Sequence, residues 1–204
     1  MHIAILTFDG FNELDSLIAF GILNRVKVPG WRVSIASPTE RVRSMNGVVV
    51  EAQATIADAL TADAVLVGSG IRTREVVEDT VLMAQLKGLG AGGQLLGAQC
   101  SGTLVLAKLG LLAGVPACTD LTTRPWVEAA GIAVVDRPFA ANGNVATAGG
   151  CLASPYLAAW VIARLQGVDA AREAIHYVAP VGEKQAFVQR TMAHLAPNLE
   201  AAAG

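Results

Sequence analysis

Gln94-Leu95-Leu96-Gly97-Ala98-Gln99-Cys100-Ser101-Gly102-Thr103-Leu104-Val105-Leu106-Ala107 reads as an apolar strand that runs into a helix through a turn of small residues. Cys100 stands at that turn. Ala98 and Gly102 flank it two residues to either side, the spacing of small residues that a tight, strained nucleophile elbow requires. A thiol placed there is lifted out of a sheet toward the positive end of a new helix. That end lowers a thiol pKa and makes thiolate available near neutral pH. The competing reading is a buried cysteine packed as a small hydrophobe.

Outward from the elbow, Val, Ile and Leu runs alternate with helical periods, the pattern of βαβ units around a mostly parallel sheet. Strands are expected at 3–7, 31–36 and 64–67, the last ending in Gly68-Ser69-Gly70. Helices are expected at 15–26, from the glycine loop through Leu86, from the elbow to about Gly110, and at 124–130, 152–166, 170–176 and 183–194. Asn46-Gly47 marks one hairpin turn and residues 139–147 a second. Residues 114–120 form a short return segment. The expected architecture is a three-layer α/β/α sandwich. Residues 1–197 form one domain, and 198–204 form a frayed alanine-rich tail. Open α/β sheets carry their sites at the carboxyl ends of strands. Residues 9–15, 68–74, 100–101 and Asp120 all fall there.

With 53% hydrophobic residues and a mean hydropathy of +0.48, the chain carries more apolar surface than a plain soluble fold needs. Charges or glycines interrupt every apolar run before it reaches the length of a membrane span. The surplus is therefore assigned to a sheet buried on both faces and to a homodimer interface. A net charge of -2 without a basic cluster argues against nucleic acid. Met1 to Leu6 reads as a strand rather than a signal peptide. The cysteines, Cys100, Cys118 and Cys151, are odd in number and far apart, which fits a reducing cytoplasm without a disulfide framework. No cofactor is expected. No metal is expected either, since histidines are not clustered with the Asp–Cys pair.

Four segments, in this order and spacing, resemble the ThiJ/PfpI superfamily. These are the acidic Phe11-Asn12-Glu13-Leu14-Asp15-Ser16-Leu17, the loop Gly68-Ser69-Gly70, the elbow Ala98-Gln99-Cys100-Ser101-Gly102, and the turn Ala148-Gly149-Gly150 before a late helix. The resemblance covers nearly the whole chain and implies the flavodoxin-like fold of the class I glutamine-amidotransferase group. The protease-like branch has histidine directly after the nucleophile, where this chain has Ser101. Another branch has histidine where this chain has Asp120. His2, His176 and His194 lie elsewhere and read as surface or core residues. A Cys–His dyad is thus not expected, nor is peptide hydrolysis, which needs a general acid for the leaving amine.

The chain is most similar to the isocyanide hydratase branch, through Leu14-Asp15, the hydroxyl residue Ser101 after the cysteine, and Leu104-Val105-Leu106 followed by Gly110-Leu111-Leu112. It departs from that branch around Asp120, and Gly68-Ser69-Gly70 replaces the usual Pro-Gly-Gly. The resemblance implies a hydro-lyase that converts a small isocyanide to an N-formamide. In that reading Cys100 adds to the terminal carbon and Asp15, protonated at rest, handles the proton. The N–H groups of Gly70 and Ser101 stabilise developing negative charge, and Ser101 or Asp120 positions water. Ser69, Asp120 and Arg72 are candidate site walls.

Each of these residues carries a second reading. Asp15 is either the acid or a helix N-cap, and Glu13 is a rival acid in the same loop. Gly68-Ser69-Gly70 is either part of the site or a tight turn. Arg72 and Arg74 are either solvated or anion-binding, and Asp120 is either an N-cap or a site wall. Cys118 and Cys151 read as packed core thiols, and the three tryptophans as core or interface anchors. Residues 177–184 form a lid or a plain connection. In function, the alternatives are a redox or ligand-sensing stress protein with an oxidisable Cys100, or a small-amide hydrolase or glyoxalase-type enzyme of the same superfamily.

Overall fold

The structure is a computed structural model that describes residues 1–199. Seventeen elements follow in chain order: β1 (His2–Leu6), α1 (Glu13–Leu23), β2 (Arg32–Ala36), β3 (Arg41–Arg43), β4 (Val49–Glu51), α2 (Ile56–Leu60), β5 (Ala64–Val67), α3 (Thr73–Glu78), α4 (Thr80–Leu86), β6 (Leu95–Gln99), α5 (Gly102–Lys108), α6 (Arg124–Ala129), β7 (Phe139–Asn142), β8 (Val145–Ala148), α7 (Ser154–Gln166), α8 (Val168–Val178) and α9 (Lys184–Leu199). Six strands form one sheet in the order β2-β1-β5-β6-β8-β7. Every neighbouring pair is parallel except β7–β8, the second expected hairpin, which closes one edge antiparallel. The first expected hairpin is the separate β3–β4 pair.

The strands are apolar at most positions, and in β5 at all four, because both faces of the sheet are covered. Successive side chains alternate between two cores. Ile3, Ile5, Val33, Ile35 and Leu66 pack against α1, α7, α8 and α9. Ala4, Leu6, Val65, Val67, Leu96 and Ala98 pack against α2, α3, α4, α5 and α6 on the opposite face. Each fully buried leucine or isoleucine contributes about 1.5–3 kcal/mol by leaving water. Trp160 is fully buried in the first core. The three expected layers are the three observed. Among the described residues no helix is long and apolar enough to cross a membrane.

Several expected boundaries move. The single helix after the glycine loop is two, because Asp79 ends α3 and its Oδ1 accepts the Val81 and Leu82 N–H groups at 3.0 Å to start α4. The return segment before Asp120 makes only an isolated bridge, Ala117 to Val134. The last helix does not end at His194 but runs to Leu199 with Pro197 inside it. Most of the expected frayed tail, residues 200–204, lies outside the described residues.

The elements that matter for function end together. β1, β5 and β6 are parallel neighbours, so the segments after Leu6, Val67 and Gln99 emerge at one edge of the sheet. The turn after β8 joins them there, where the Cys100 N–H donates to Ala148 O at 2.8 Å.

Candidate active site

Cys100 has φ +46°, and it is the one non-glycine residue with positive φ among the described residues. A side chain in that region is strained by about 1–3 kcal/mol, so surrounding contacts must impose it. They are visible. The Cys100 N–H is held by Ala148 O, and its carbonyl accepts from Thr119 Oγ1 at 2.8 Å and from the Thr103 N–H at 3.2 Å. Gly102 is required because a Cβ there would lie 2.4 Å from Val67 O and 2.8 Å from Gly68 O. The elbow is thus clamped between the ends of β5 and β8. The Cys100 side chain is only 4% exposed, but it opens into a cavity of about 440 Å³ rather than into aliphatic packing.

Asp15 reaches the same thiol from the first turn of α1. The expected helix start at Asp15 is two residues late. Asn12 is the N-cap, accepting the Leu14 N–H at 3.0 Å, so Asp15 is not a cap and belongs to the helix, not to the preceding loop. Its side chain is 2% exposed. Oδ2 accepts a short hydrogen bond from Ser69 Oγ, while Oδ1 is buried without a hydrogen-bond partner. Burial pushes the Asp15 carboxyl above its ordinary range, with Ser69 and the Cys100 and Cys151 thiols pulling partly the other way. Glu13 is no rival. It turns to the β3–β4 hairpin, where it accepts from Ser44 Oγ, the Asn46 N–H and Asn46 Nδ2, and these bonds hold its pKa down.

The expectation of a lowered Cys100 pKa is overturned. Burial first, then the neighbouring Asp15 carboxylate, push the thiol far up. A helix of seven residues beginning at Gly102 does not outweigh a full negative charge next to the sulfur. Burial and this neighbouring charge favour the thiol form of Cys100, and Asp15 is the group beside it able to take its proton.

The other expected site residues divide. Ser69 touches the carboxyl directly. The Ser101 Oγ ties the elbow to the glycine loop, accepting the Gly70 N–H at 3.0 Å and meeting Thr73 Oγ1 at 2.8 Å. The Gly70 N–H is therefore occupied and does not point freely at a substrate as expected. Asp120 lines the cavity, but it is not the N-cap of α6, which is Thr123; its Oδ1 accepts the Thr122 and Thr123 N–H groups at 3.0 and 2.9 Å in the turn before that helix. Arg72 is not a wall of this cavity. Its guanidinium pairs with Glu75 and lies 4.0 Å from Asp9, outside the cavity.

Two contributors were missed. Arg74 lines the cavity with its guanidinium 4.8 Å from the Trp126 ring centroid. Cys151 is no core thiol: it is partly exposed, lines the cavity and accepts from Asn12 Nδ2 at 3.2 Å. The Gly149-Gly150 turn before it was the available signal. A Cβ on Gly149 would lie 2.4 Å from Thr119 O, so the chain there presses against the residue whose hydroxyl holds the Cys100 carbonyl. The Asp15 carboxylate and the Cys100 and Cys151 sulfurs all lie within 4.8 Å of one another, the one such trio of metal-capable groups among the described residues. Cys118 does pack as a core thiol, fully buried and pushed up to about 11 by burial. No histidine lines the cavity. His2 meets Ser34 Oγ at 2.6 Å, His194 stacks near Tyr156, and His176 is on the surface.

Comparison with known proteins agrees with this layout. The family model described as the DJ-1/PfpI family matches residues 1–164. The isonitrile hydratase of Pseudomonas putida is 25% identical over 173 residues, covering 84% of this chain and 75% of that protein. Among solved structures, a ThiJ/PfpI family protein from Pseudomonas syringae superposes with a TM-score of 0.78 at 19% identity, covering 100% of this chain and 90% of that one. Toxoplasma gondii DJ-1 in an oxidised form gives 0.74 at 22% identity, covering 87% and 97%.

Proposed function

The chain belongs to the DJ-1/PfpI family, and from that premise we propose that it hydrates a small isocyanide to an N-formamide, with Cys100 as nucleophile and Asp15 as proton carrier. The observation that carries the reading is the unpartnered Asp15 Oδ1 beside the Cys100 thiol, in a cavity that no histidine lines. A dyad of thiol and carboxyl suits an addition that needs one proton moved a short way, and it does not suit amine expulsion. The likeness to isonitrile hydratase points the same way.

The steps balance with water as the sole co-substrate. Asp15 takes the Cys100 proton as the sulfur bonds to the terminal isocyanide carbon. The carboxyl then returns that proton to the same carbon, giving a thioimidate, R–N=CH–S. Water adds to this carbon with a proton passing to nitrogen, and as the adduct collapses its hydroxyl proton passes to Asp15 and from there to the departing Cys100 sulfur. The product is R–NH–CHO. The Ser101 N–H at the elbow faces developing charge on the adduct, and Asp120 supports the water. This scheme needs no free thiolate at rest, because Asp15 takes the proton as the sulfur bonds to carbon. Incubation with para-nitrophenyl isocyanide, followed by chromatography of the N-formamide, tests the assignment. No turnover by the folded protein across pH 5 to 9 would remove it.

A second copy of the chain completes this proposal. Ile71 and Leu152 are 66% and 77% exposed, and Leu121 is 84% exposed. Ile71 lines the cavity, and the other two are chain neighbours of the lining residues Asp120 and Cys151. Such an apolar rim suits a homodimer that closes over the cavity mouth. Light scattering at micromolar concentration is expected to give twice the chain mass, and a monomer would refute the pairing.

A further inference from the structure

Hydration has no use for Cys151, yet the fold delivers its sulfur to within 4.8 Å of the Cys100 sulfur and into the same cavity. We propose that Cys151 is a resolving cysteine, which makes the cavity a two-thiol centre that reduces hydroperoxides and closes to a Cys100–Cys151 disulfide.

The two thiols are built differently. Cys100 is fixed by its strained backbone and by the three hydrogen bonds that hold its peptide groups. Cys151 follows Gly150, which has φ +87°, and opens a single turn of 3-10 helix before α7. It is only partly buried, and Asn12 Nδ2 donates to its sulfur at 3.2 Å, a contact that partly offsets the burial and the Asp15 charge that together push its pKa up. A disulfide requires the sulfurs to close to about 2.05 Å. The remaining gap is under ~3 Å, the scale of one side-chain rotamer change, and the Cys151 turn is the member able to make it.

The chemistry is balanced. Cys100 gives its proton to Asp15 and attacks one peroxide oxygen. The O–O bond breaks, and the leaving alkoxide or hydroxide takes the proton, so Cys100–SH and ROOH become Cys100–SOH and ROH. The Cys151 sulfur then attacks the Cys100 sulfur, the S–O bond breaks, and water leaves with the Cys151 proton. Two electrons pass from sulfur to the peroxide. An external dithiol restores both thiols by exchange and is itself oxidised to a disulfide. With the nucleophile locked in the bond, hydration stops until reduction.

The three cysteines separate cleanly for analysis with trypsin and Glu-C together, since cleavage after Lys87, Lys108, Glu128 and Arg164 leaves each on its own peptide, whereas the Arg124-Pro125 and Arg137-Pro138 bonds resist trypsin. The full chain is treated with a severalfold molar excess of hydrogen peroxide, enough for two oxidations per cysteine, blocked with iodoacetamide under denaturing conditions, digested without reductant and read by mass spectrometry. The expected result is a Cys100–Cys151 linked pair of peptides, two hydrogens lighter than their sum and lost after dithiothreitol. In Cys151→Ser that linkage vanishes and Cys100 gains two oxygens as sulfinate instead. Sulfinate at Cys100 in the unsubstituted chain without the linked pair would overturn the proposal, as would linkage through Cys118. The readout is a mass and not turnover, so it stands or falls independently of isocyanide hydration.

Discussion

Ser69 Oγ donates to Oδ2 of Asp15, and the other oxygen of that carboxyl has no partner although both atoms are buried. One oxygen is thereby held still while the other is left for a proton in transit. Ser69→Ala removes the one hydroxyl donor and leaves only the two thiols near the carboxyl. The Asp15 pKa then rises further, since Ser69 opposes the effect of burial. We expect the acid limb of the hydration pH profile to move to higher pH and stability to fall by about 1–3 kcal/mol. An unmoved limb in a kcat/KM against pH titration would separate Ser69 from the proton step.

Cys100→Ala and Asp15→Asn are each expected to abolish formamide production while leaving circular dichroism unchanged. Asp15→Asn should also be the more stable protein at neutral pH, and the sign follows from burial. The folded Asp15 pKa lies above the ordinary 3.8, so ionisation opposes folding. The wild-type chain regains that stability as pH falls through the folded Asp15 pKa. The advantage of asparagine therefore shrinks on acidification and is gone below about pH 3.8, where the unfolded carboxyl is also protonated. Urea midpoints measured from pH 4 to 8 check the trend; a gap that widens toward acid would contradict it.

Gly102→Ala places a methyl group 2.4 Å from the Val67 carbonyl oxygen. Backbone cannot yield as a flexible side chain would. We expect a loss of about 3 kcal/mol, read as a lower urea midpoint at unchanged slope, and at least tenfold lower kcat because the elbow moves.

Arg74 is the one basic residue lining the cavity among those described, braced against Trp126. Arg74→Ala should raise KM about fivefold for an isocyanide carrying a carboxylate, the value of about 1 kcal/mol for a partly solvated ion contact. For an uncharged aryl isocyanide the change should stay below about twofold. Equal changes for both substrates would deny Arg74 a part in recognition.

Cys118 is fully buried, and burial holds its thiol near 11. Iodoacetamide at pH 8 is expected to leave it unmodified in the native protein and to reach it only after denaturation, as judged by peptide mass. Prompt native labelling would mean that the core around Thr103 and Thr147 opens.

The sheet was legible in the sequence because a parallel strand buried on both faces is apolar at every position, as in Ala64-Val65-Leu66-Val67. The elbow was legible for a different reason: Ala98, Gly102 and a helical run to Ala107 leave Cys100 nowhere but the turn. Asp15 was picked out correctly as a partner but assigned to the wrong piece of backbone, since Asn12 and Asp15 are both good caps and only packing decides between them. Arg72 and Arg74 exchanged places because side-chain direction in the first turn of α3 depends on Asp9 and Glu75 on one side and Trp126 on the other. Cys151 was invisible as a site residue. Its approach to Cys100 depends on β8 lying beside β6, a pairing across about fifty residues that no local pattern encodes. The thiol pKa failed for a similar reason, because burial in the assembled fold first, and then a charge from α1, push it up.

The Ser101 hydroxyl joins the nucleophile's turn to Gly70 and Thr73 at the head of α3. Retooling this scaffold as a hydrolase by writing histidine at position 101 would therefore disturb two loops at once. The imidazole would lose the tether that shapes the neighbouring loop before it shuttled any proton. A workable redesign starts from the Gly68-Ser69-Gly70 segment and reaches the residue after the cysteine last.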